Sequence, residues 1–411
     1  MALAFFALCF VIIFGAFRAQ LSGSDYEAAP DEVGTSIAHI LILASIYFLF
    51  VAIAIWRIQR TTRLFFRNFP LYLLPIVALA STLWSINQSN TAATSIAYCL
   101  PFLCGLALNV VYSRESVLRT FLQASTLILL ASFVMVIVLP QQGVHQGTDF
   151  FQSSHEGSWR GVFNHRTKLG QFSAIFICCV LVFGRPYSSK IYFYFRLVLA
   201  AVCLVFSNST GAYLTLLTGL ASIGYLKISV RWSVRAKIVG LIFMAMILLT
   251  CSLTWDLLLS SILELIGKTT DLTGRAPLWT AIFNGVDNSG PFGLGYSAGF
   301  NEVIRPVLEN SGYGFLPNSQ SGYVDAWVSF GVLGPAVLLF FAWKYIAVGV
   351  LSYIRLTDIA RSDPAHYLLP VMLVLITLQI SFVESFIWEA NNFLVPILGM
   401  LLPLSFSKGR V

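Results

Sequence analysis

The sequence is dominated by apolar runs of about 17–25 residues, the length that a helix needs to cross the hydrocarbon core of a bilayer. Of the 411 residues, 57% are apolar and only 10% are charged, whereas soluble domains carry roughly 25% charged residues. A mean hydropathy of +0.81 over this length requires many spans rather than one anchor. This composition excludes soluble, disordered and disulfide-rich chains. It predicts an all-α, polytopic membrane protein.

Twelve apolar runs are candidate transmembrane helices. We place them at residues 1–17, 36–56, 70–86, 93–111, 120–139, 168–184, 191–206, 211–226, 238–255, 326–350, 366–383 and 390–406. The runs between residues 168 and 226 are short and closely connected, so eleven or thirteen spans are alternatives. The prediction is therefore one transmembrane domain over residues 1–411, with two long loops at residues 140–168 and 256–325.

Basic residues follow the even-numbered spans, and acidic residues follow the odd-numbered ones. Lys and Arg resist translocation and accumulate in short cytoplasmic loops. The second span, for example, is followed by Arg57, Arg60, Arg63 and Arg67, and the eleventh by Glu384 and Glu389. The alternation predicts that both termini are cytoplasmic and that the two long loops face outward. It also accounts for most of the net charge of +7, so we do not expect nucleic acid as a partner.

The first long loop departs from this pattern, because it holds Arg160, His165, Arg166 and Lys168 on the outer side. One explanation is a bound anion, since guanidinium groups grip phosphate oxygens through forked, charge-assisted hydrogen bonds. The other is that Arg166 and Lys168 extend to lipid headgroups at the mouth of the sixth span. The loop by itself favours neither explanation.

The second long loop contains two predicted short helices and a glycine-rich segment. Apolar residues at helical spacing over 256–271 predict an interfacial helix. Arg275 falls in the first turn of the next helix, where the helix dipole disfavours a cation unless an anion is bound there as well. Gly293, Gly295 and Gly299 follow, and they permit either a close backbone approach to a ligand or a plain turn.

Several function classes lack their usual signatures. The spans before residue 256 have essentially no charge at their centres, which disfavours a transporter or flippase. There is no Walker loop, dinucleotide fingerprint, H-E-x-x-H or Asp-x-Asp sequence, so we predict neither a cofactor nor a metal. An enzyme with these properties would need a donor available outside the cytoplasm. A lipid-linked sugar pyrophosphate meets that condition.

Six short motifs occur in order over residues 155–405. They are RGVFNHRTKLGQF at 160–172, SNSTGAYL at 207–214, LTGRAPLW at 272–279, GLGY at 293–296, SGYVDAWVSFGVLG at 321–334 and FVES at 382–385. With these motifs the sequence resembles the O-antigen ligase and polymerase superfamily of bacterial envelope proteins, in particular its exopolysaccharide-polymerase branch. The resemblance implies a metal-independent, membrane-embedded glycosyltransferase whose donor and acceptor are undecaprenyl-pyrophosphate-linked saccharides.

The resemblance also implies roles for the basic loop residues. Arg275 matches the arginine expected to hold the donor pyrophosphate, and Arg160, Arg166 and Lys168 lie where the family has further basic residues. Ligases often carry arginine in the segment where this chain has Thr210. That departure favours the polymerase branch.

The chain departs from the family pattern at the expected catalytic base. The family commonly has His-Asn before the Gly-Tyr of the SGYVDAW motif, and this chain has Gln320 and Ser321 there. The histidine is thought to activate the acceptor hydroxyl, and glutamine cannot accept a proton at useful pH. Candidate bases, in order of preference, are Asp325, Glu384 and His165; capping or headgroup contact is the alternative role of each.

These observations favour a polysaccharide polymerase at the periplasmic face of the bacterial inner membrane, in exopolysaccharide or O-antigen biosynthesis. Its expected partners are the lipid-linked donor and acceptor, membrane lipid, a chain-length regulator and an export complex. The alternatives are a ligase that moves finished glycan to an acceptor, a transporter of the same lipid-linked sugar, and an inactive accessory protein, which Gln320 favours.

Overall fold

In a computed structural model of the chain, the regular structure of every described segment is helical. The structure describes residues 2–17, 37–149, 155–240, 242, 243, 246, 247, 250, 275–286, 290–310, 316, 318–354, 364–390 and 392–406. Within these ranges the β-structure consists of one isolated antiparallel bridge between Val144 and Trp159. The predicted all-α class is therefore confirmed.

Most α-helices of the described segments overlap the predicted apolar runs. The α-helices are α1 Ala2–Ile13, α2 Ile37–Trp56, α3 Ile58–Arg67, α4 Phe69–Ala80, α5 Gln88–Val111, α6 Arg114–Val138, α7 Arg166–Cys179, α8 Lys190–Phe206, α9 Thr210–Ile228, α10 Arg275–Val286, α11 Arg305–Asn310, α12 Gly322–Phe330, α13 Leu333–Ile354, α14 Pro364–Val383 and α15 Leu394–Leu401. Of these, α3, α10 and α11 lie outside the predicted runs. A single helical turn, Pro140–Gly143, follows α6. π-Helical turns extend α7 over Val180–Gly184 and precede α11 over Gly299–Ile304.

Five helices of the described residues are long and apolar enough to cross a membrane. They are Gln88–Val111, Arg114–Val138, Arg166–Tyr187, Thr210–Ile228 and Leu333–Tyr353, with α2 and α3 as a sixth if the bent pair is one span. The chain is thus a multi-pass membrane protein by length and composition, and the total of twelve spans remains a prediction. Most of the predicted span 238–255 and the whole predicted interfacial helix 256–271 lie outside the described residues.

The helix pair α2 and α3 bends by 96° at Arg57. The sequence does not predict a helix over residues 58–67, because the arginines of this segment indicate only which side of the membrane it faces. In α3, Arg60, Arg63 and Arg67 share one helix with apolar residues, of which Ile58 and Phe66 are exposed. A helix with this amphipathic character, set across the direction of the preceding span, is typical of one that lies on a membrane surface.

The predicted span 326–350 is wrong at its beginning, because the chain is broken at Gly331. Gly331 ends α12 with a φ of +56°, and a Cβ there would lie 2.0 Å from the carbonyl oxygen of Pro291. A left-handed conformation at such close approach requires glycine. The membrane-crossing helix therefore begins at Leu333, and α12 with Asp325 is a separate short helix.

Close helix crossings hold the bundle together. Helix α7 packs against α8 and α9, α9 against α14, α14 against α13, and α15 against α5. At the last crossing, a Cβ on Gly105 would lie 2.3 Å from the backbone carbon of Gly399. The Asn109 amide donates to the carbonyls of Gly105 and Met400 at 2.8 and 2.9 Å. Small residues of this kind let helix backbones approach closely inside membranes.

One end of the bundle carries the described parts of both long loops. We call it the loop face and define it by residues 155–168, 206–210, 290–301, 318–325, 384–390, 392 and 393. Hydrogen bonds join these segments to one another: Trp159 N–H donates to Phe206 O at 2.9 Å, and Gly322 N–H donates to Glu384 O at 3.1 Å. The first loop is shorter than predicted, because α7 already begins at Arg166.

The crossing of α5 and α15 gives a direct test of the packing. Gly105→Ala should destabilise the protein by about 1–3 kcal/mol, because the added methyl group meets backbone rather than a movable side chain. Gly224→Ala in α9 is the matched control, since a Cβ there meets nothing within 4 Å. This substitution should stabilise the protein by about 1 kcal/mol, because alanine has the higher helix propensity. Thermal unfolding in detergent measures both. Equal melting temperatures for the two variants would contradict the packing.

Candidate active site

A cavity of about 360 Å³ lies at the loop face. Its walls come from α5, the beginning of α7, the 296–301 segment, the turn before α12, α12 itself and the segment after α14. The lining residues are Thr94, Asn164, Lys168, Tyr296, Ser297, Phe300, Asn301, Asn318, Asp325, Val328, Ser329, Ser385, Trp388, Glu389 and Ala390. Both predicted long loops therefore contribute to one cavity, and two predicted site residues, Lys168 and Asp325, line it.

Asp325 lies in the first turn of α12 and faces the cavity. Its Oδ1 accepts a hydrogen bond from the backbone N–H of Ser319 at 3.1 Å. Burial raises the pKa of Asp325 to about 6, although the hydrogen bonding from Ser319 acts in the opposite direction. A carboxylate with a pKa near the working pH is suited to accept a proton from a substrate hydroxyl. Asp325 thus has the position and the pKa of a general base.

Glu389 is the centre of a polar network that sequence reasoning did not include among the site residues. Its carboxylate lies 3.2 Å from Lys168 Nζ and accepts hydrogen bonds from the amides of Asn318 and Asn392 at 3.0 and 2.9 Å. The Lys168 ammonium also lies 5.8 Å from the centre of the Phe386 ring. The network joins the first loop, the second loop and the segment after α14.

Gln320 has a structural role in the turn before α12. It adopts a φ of +57°, and both its backbone N–H and its side-chain amide donate to Asn318 Oδ1 at 3.0 Å. Trp279 of α10 donates to the carbonyl of Ser319 at 3.0 Å. The turn is thereby fixed from two sides, and it holds Asn318 toward Glu389. Gln320 positions this wall and lacks the chemistry of a base.

Arg160 is engaged within the first loop. Its side chain is buried, with NH1 2.7 Å from Asp149 Oδ2, and Nε and NH2 donate to the carbonyls of Gln142 and Gln141 at 2.8 and 2.9 Å. A guanidinium group held by a carboxylate and two carbonyls mainly orders the loop. The predicted pyrophosphate contact of Arg160 would require some of these bonds to break.

Arg166 begins α7 beside the SNST turn and Glu384. Its NH1 donates to the carbonyl of Asn208, whereas its Nε has no hydrogen-bond partner among the described residues. The carboxylate of Glu384 attracts this guanidinium electrostatically. Glu384 does not line the cavity, although its neighbour Ser385 does.

Arg275 is the first residue of α10, as predicted, but its side chain is outside the described part of the structure. Trp279 lies four residues later, on the same face of the helix and about 6 Å farther along its axis. Because Trp279 contacts the turn that precedes Asp325, position 275 is within about one helical turn of a residue bound to the cavity wall.

The glycines of the GLGY segment bring backbones of the chain itself together. Gly293 and Gly295 have φ angles of +69° and +97°. A Cβ on Gly295 would lie 2.3 Å from Ser85 Oγ, and one on Gly293 would lie 2.7 Å from Phe330 N. These contacts fix Tyr296, whose hydroxyl donates to the carbonyl of Trp388. Of the two predicted alternatives, the structure favours a tight turn packed on its neighbours.

The side chains of three histidines of the first long loop contact one another. The ring centres of His145, His155 and His165 are 5.4–5.8 Å apart. His165 caps α7, because its Nδ1 accepts from the backbone N–H of Thr167 at 3.2 Å. Burial lowers the pKa of His165 well below its ordinary value. His165 is thus a neutral helix cap, and no group of three or more His, Cys, Asp or Glu in the described ranges has metal-binding geometry.

The O-antigen ligase family model matches residues 195–339. The match confirms the predicted resemblance to the O-antigen ligase and polymerase superfamily. The matched segment includes residues 207–210, α10 with position 275, the GLGY segment and Asp325, whereas Lys168 and Glu389 come from outside it. No curated protein matches the chain.

His145 of the first long loop contacts both Arg166 and Asp149. Its Nε2 accepts from Arg166 N–H at 3.1 Å, and its Nδ1 lies 3.0 Å from Asp149 Oδ2. Burial lowers the His145 pKa from 6.5 to about 4, with the charge of Arg160 acting in the same direction. The neutral ring is therefore the form that fits the fold.

We expect stability to fall as the pH drops from 6.5 to 4. In this window the unfolded chain binds more protons at His145 than the folded chain does, so acid favours unfolding by up to about 3 kcal/mol. Urea unfolding at several pH values measures the effect. His145→Asn keeps a donor toward Asp149 but cannot titrate, and it should flatten the pH dependence; an unchanged slope would contradict this origin.

Proposed function

We propose that the protein is a polysaccharide polymerase that joins undecaprenyl-pyrophosphate-linked repeat units at the periplasmic face of the bacterial inner membrane. The observation that carries the proposal is Asp325, a partly buried carboxylate with a pKa of about 6 in a cavity at the loop face. A base at this place can activate a sugar hydroxyl. The family resemblance supplies the expected donor, a lipid-linked saccharide.

The proposed reaction forms one glycosidic bond and breaks the bond between the anomeric carbon of the donor and its phosphate oxygen. A hydroxyl of one repeat unit attacks the anomeric carbon of a saccharide on another lipid carrier, and Asp325 accepts the hydroxyl proton. The electrons of the broken carbon–oxygen bond leave with undecaprenyl pyrophosphate. Arg275, assisted by Arg166, stabilises the leaving diphosphate, and such preorganised positive charge can lower the barrier by several kcal/mol. No metal or cofactor is assigned a part in this proposal.

In the proposed membrane topology, the chain has twelve spans and both termini lie in the cytoplasm. The loop face is then periplasmic, and the basic helix α3 lies at the cytoplasmic surface. A chain-length regulator and an export complex are the proposed protein partners. The product serves exopolysaccharide or O-antigen assembly.

Replacement of Arg275 tests the donor site. Arg275→Ala should shorten the polymer and cause repeat-unit lipid to accumulate, because the diphosphate loses a charge-assisted contact, and Arg275→Lys should restore part of the activity. Gel analysis of polymer length and mass spectrometry of lipid-linked saccharides measure both effects. Arg119→Ala is the control, since this exposed arginine pairs with Glu115 at the other end of the bundle. A normal chain-length distribution for Arg275→Ala would refute the donor assignment.

Replacement of Asp325 tests the base. The rate of polymerisation in membranes should fall as the pH drops below about 6, because protonated Asp325 cannot accept a proton. Asp325→Asn should lose about 10²–10⁴-fold in rate at every pH, whereas Glu384→Gln should keep the fall in rate at acidic pH. If Glu384→Gln removed this fall and Asp325→Asn kept it, Glu384 would be the base.

A ligase that transfers finished glycan is the second candidate, because the matched family is described as O-antigen ligase. The two functions leave different intermediates on the carrier lipid. A strain without a polymerase should accumulate single repeat units on undecaprenyl pyrophosphate. A strain without a ligase should accumulate long glycans on it, and analysis of lipid-linked saccharides from a deletion strain distinguishes these results.

A further inference from the structure

The charges that line the cavity are a poor match for a diphosphate. Among the described lining residues, the ionisable side chains that carry charge at neutral pH are Lys168, Asp325 and Glu389. Lys168 is paired with Glu389 at 3.2 Å, so the excess charge of the described part of the wall is the negative charge of Asp325. Like charges at short distance in a partly desolvated site repel strongly. A diphosphate inside this cavity would face two carboxylates and one engaged ammonium group.

The uncharged lining residues match a sugar much better. Amides of Asn164, Asn301 and Asn318 line the wall together with several hydroxyl groups. Amides both donate and accept hydrogen bonds, as sugar hydroxyls do. A cavity of about 360 Å³ is near the lower end of the usual range for ligand pockets, about 300–1,000 Å³. It therefore suits the end of a saccharide rather than a long stretch of polymer.

Two of the three large aromatic side chains that line the cavity, Tyr296 and Trp388, use their polar atoms elsewhere. Tyr296 donates its hydroxyl proton to the Trp388 carbonyl, and Trp388 Nε1 donates to the Gly322 carbonyl at 2.8 Å. Both residues nevertheless line the cavity. The parts that remain for a ligand are apolar ring surfaces, which suit the C–H surface of a sugar ring.

Ser385 is the neighbour of Asp325 in the cavity wall. Its side chain is 1% exposed and lines the cavity. Its hydroxyl acts on the Asp325 carboxyl as a hydrogen-bond donor and lowers the pKa of that group, so the two groups lie side by side. A ligand hydroxyl placed beside this pair would reach both a donor and an acceptor.

We infer that this cavity is the acceptor subsite, that it takes an uncharged or cationic saccharide end, and that Glu389 and Asp325 exclude acidic sugars from it. The inference rests on the proposed function and deepens it by separating the two substrates. The acceptor hydroxyl binds beside Ser385 and Asp325, and the diphosphate of the donor stays outside the cavity. The Lys168–Glu389 pair sets the charge balance of the subsite.

Direct binding separates this inference from the proposed activity, because it needs no donor. The full-length protein in nanodiscs is titrated with cellotriose, with its tri-glucuronic acid counterpart and with tri-glucosamine, which is cationic. Saturation-transfer NMR gives the three dissociation constants at pH 7. We expect cellotriose and tri-glucosamine to bind at least tenfold more tightly than the acidic trisaccharide. Equal affinity for the neutral and acidic probes, or binding of none of the three, would overturn the inference.

Two substitutions should shift the selectivity in opposite directions. Glu389→Gln removes a negative charge and should lower the preference for neutral over acidic trisaccharide at least fivefold. Lys168→Gln removes the positive charge and should raise the preference for the cationic trisaccharide. Glu302→Gln is the matched control: Glu302 is exposed, accepts from Asn87 at 2.9 Å and does not line the cavity. If Glu302→Gln shifted the preference as much as Glu389→Gln, general surface charge would be the cause and the inference would fail.

Ser385 gives a second, charge-independent readout. Ser385→Ala should weaken cellotriose binding about threefold to tenfold, and Ser385→Thr, which keeps the hydroxyl, should retain most of the affinity. Unchanged binding by Ser385→Ala would remove this residue from the subsite. A variant that loses polymer in cells but keeps normal trisaccharide selectivity as a purified protein would point to the donor side. A variant that loses the selectivity but still makes normal polymer would overturn the acceptor assignment alone.

Discussion

The ion pair and hydrogen bonds around Glu389 join three segments of the loop face. Lys168 comes from the first long loop and α7, Asn318 from the second long loop, and Asn392 from the last connection. These three segments are far apart in sequence, and apolar packing of the helices below does not dictate how they meet. A carboxylate with three partners fixes their arrangement, and the cavity exists because they meet in this way.

The helices were predictable because a bilayer imposes a length and an apolar composition on each span. Helices α5, α6 and α9 agree with the predicted runs to within a few residues at most of their ends. The break at Gly331 was not predictable, since the run 326–350 is apolar throughout, and the reason for the break is a contact with Pro291, which is distant in sequence. Helix α3 was missed because its arginines were interpreted only as a topological signal.

Part of the cavity wall could be predicted from the sequence. Asp325 was among the predicted site residues and lines the cavity, and its raised pKa follows from burial that only the fold supplies. The basic residues of the first loop were predicted to contact an anion or lipid headgroups, but the sequence could not show their partners. Arg160 is bound by Asp149, which nothing in the sequence distinguishes from other acids. Glu389 and Ser385 were missed because their significance lies in what they contact.

The contact between Gly105 and Gly399 has a consequence for how a substrate gets in. The two helix backbones are in direct contact there, with no intervening side chains that could change rotamer. Helices α5 and α15 therefore form one rigid unit. Thr94, on α5, belongs to a rigid wall of the cavity. The neighbouring wall, residues 296–301, is joined to α5 as well, because Thr91 donates to the carbonyl of Tyr296 at 3.0 Å. These two walls therefore give an entering substrate a preformed surface.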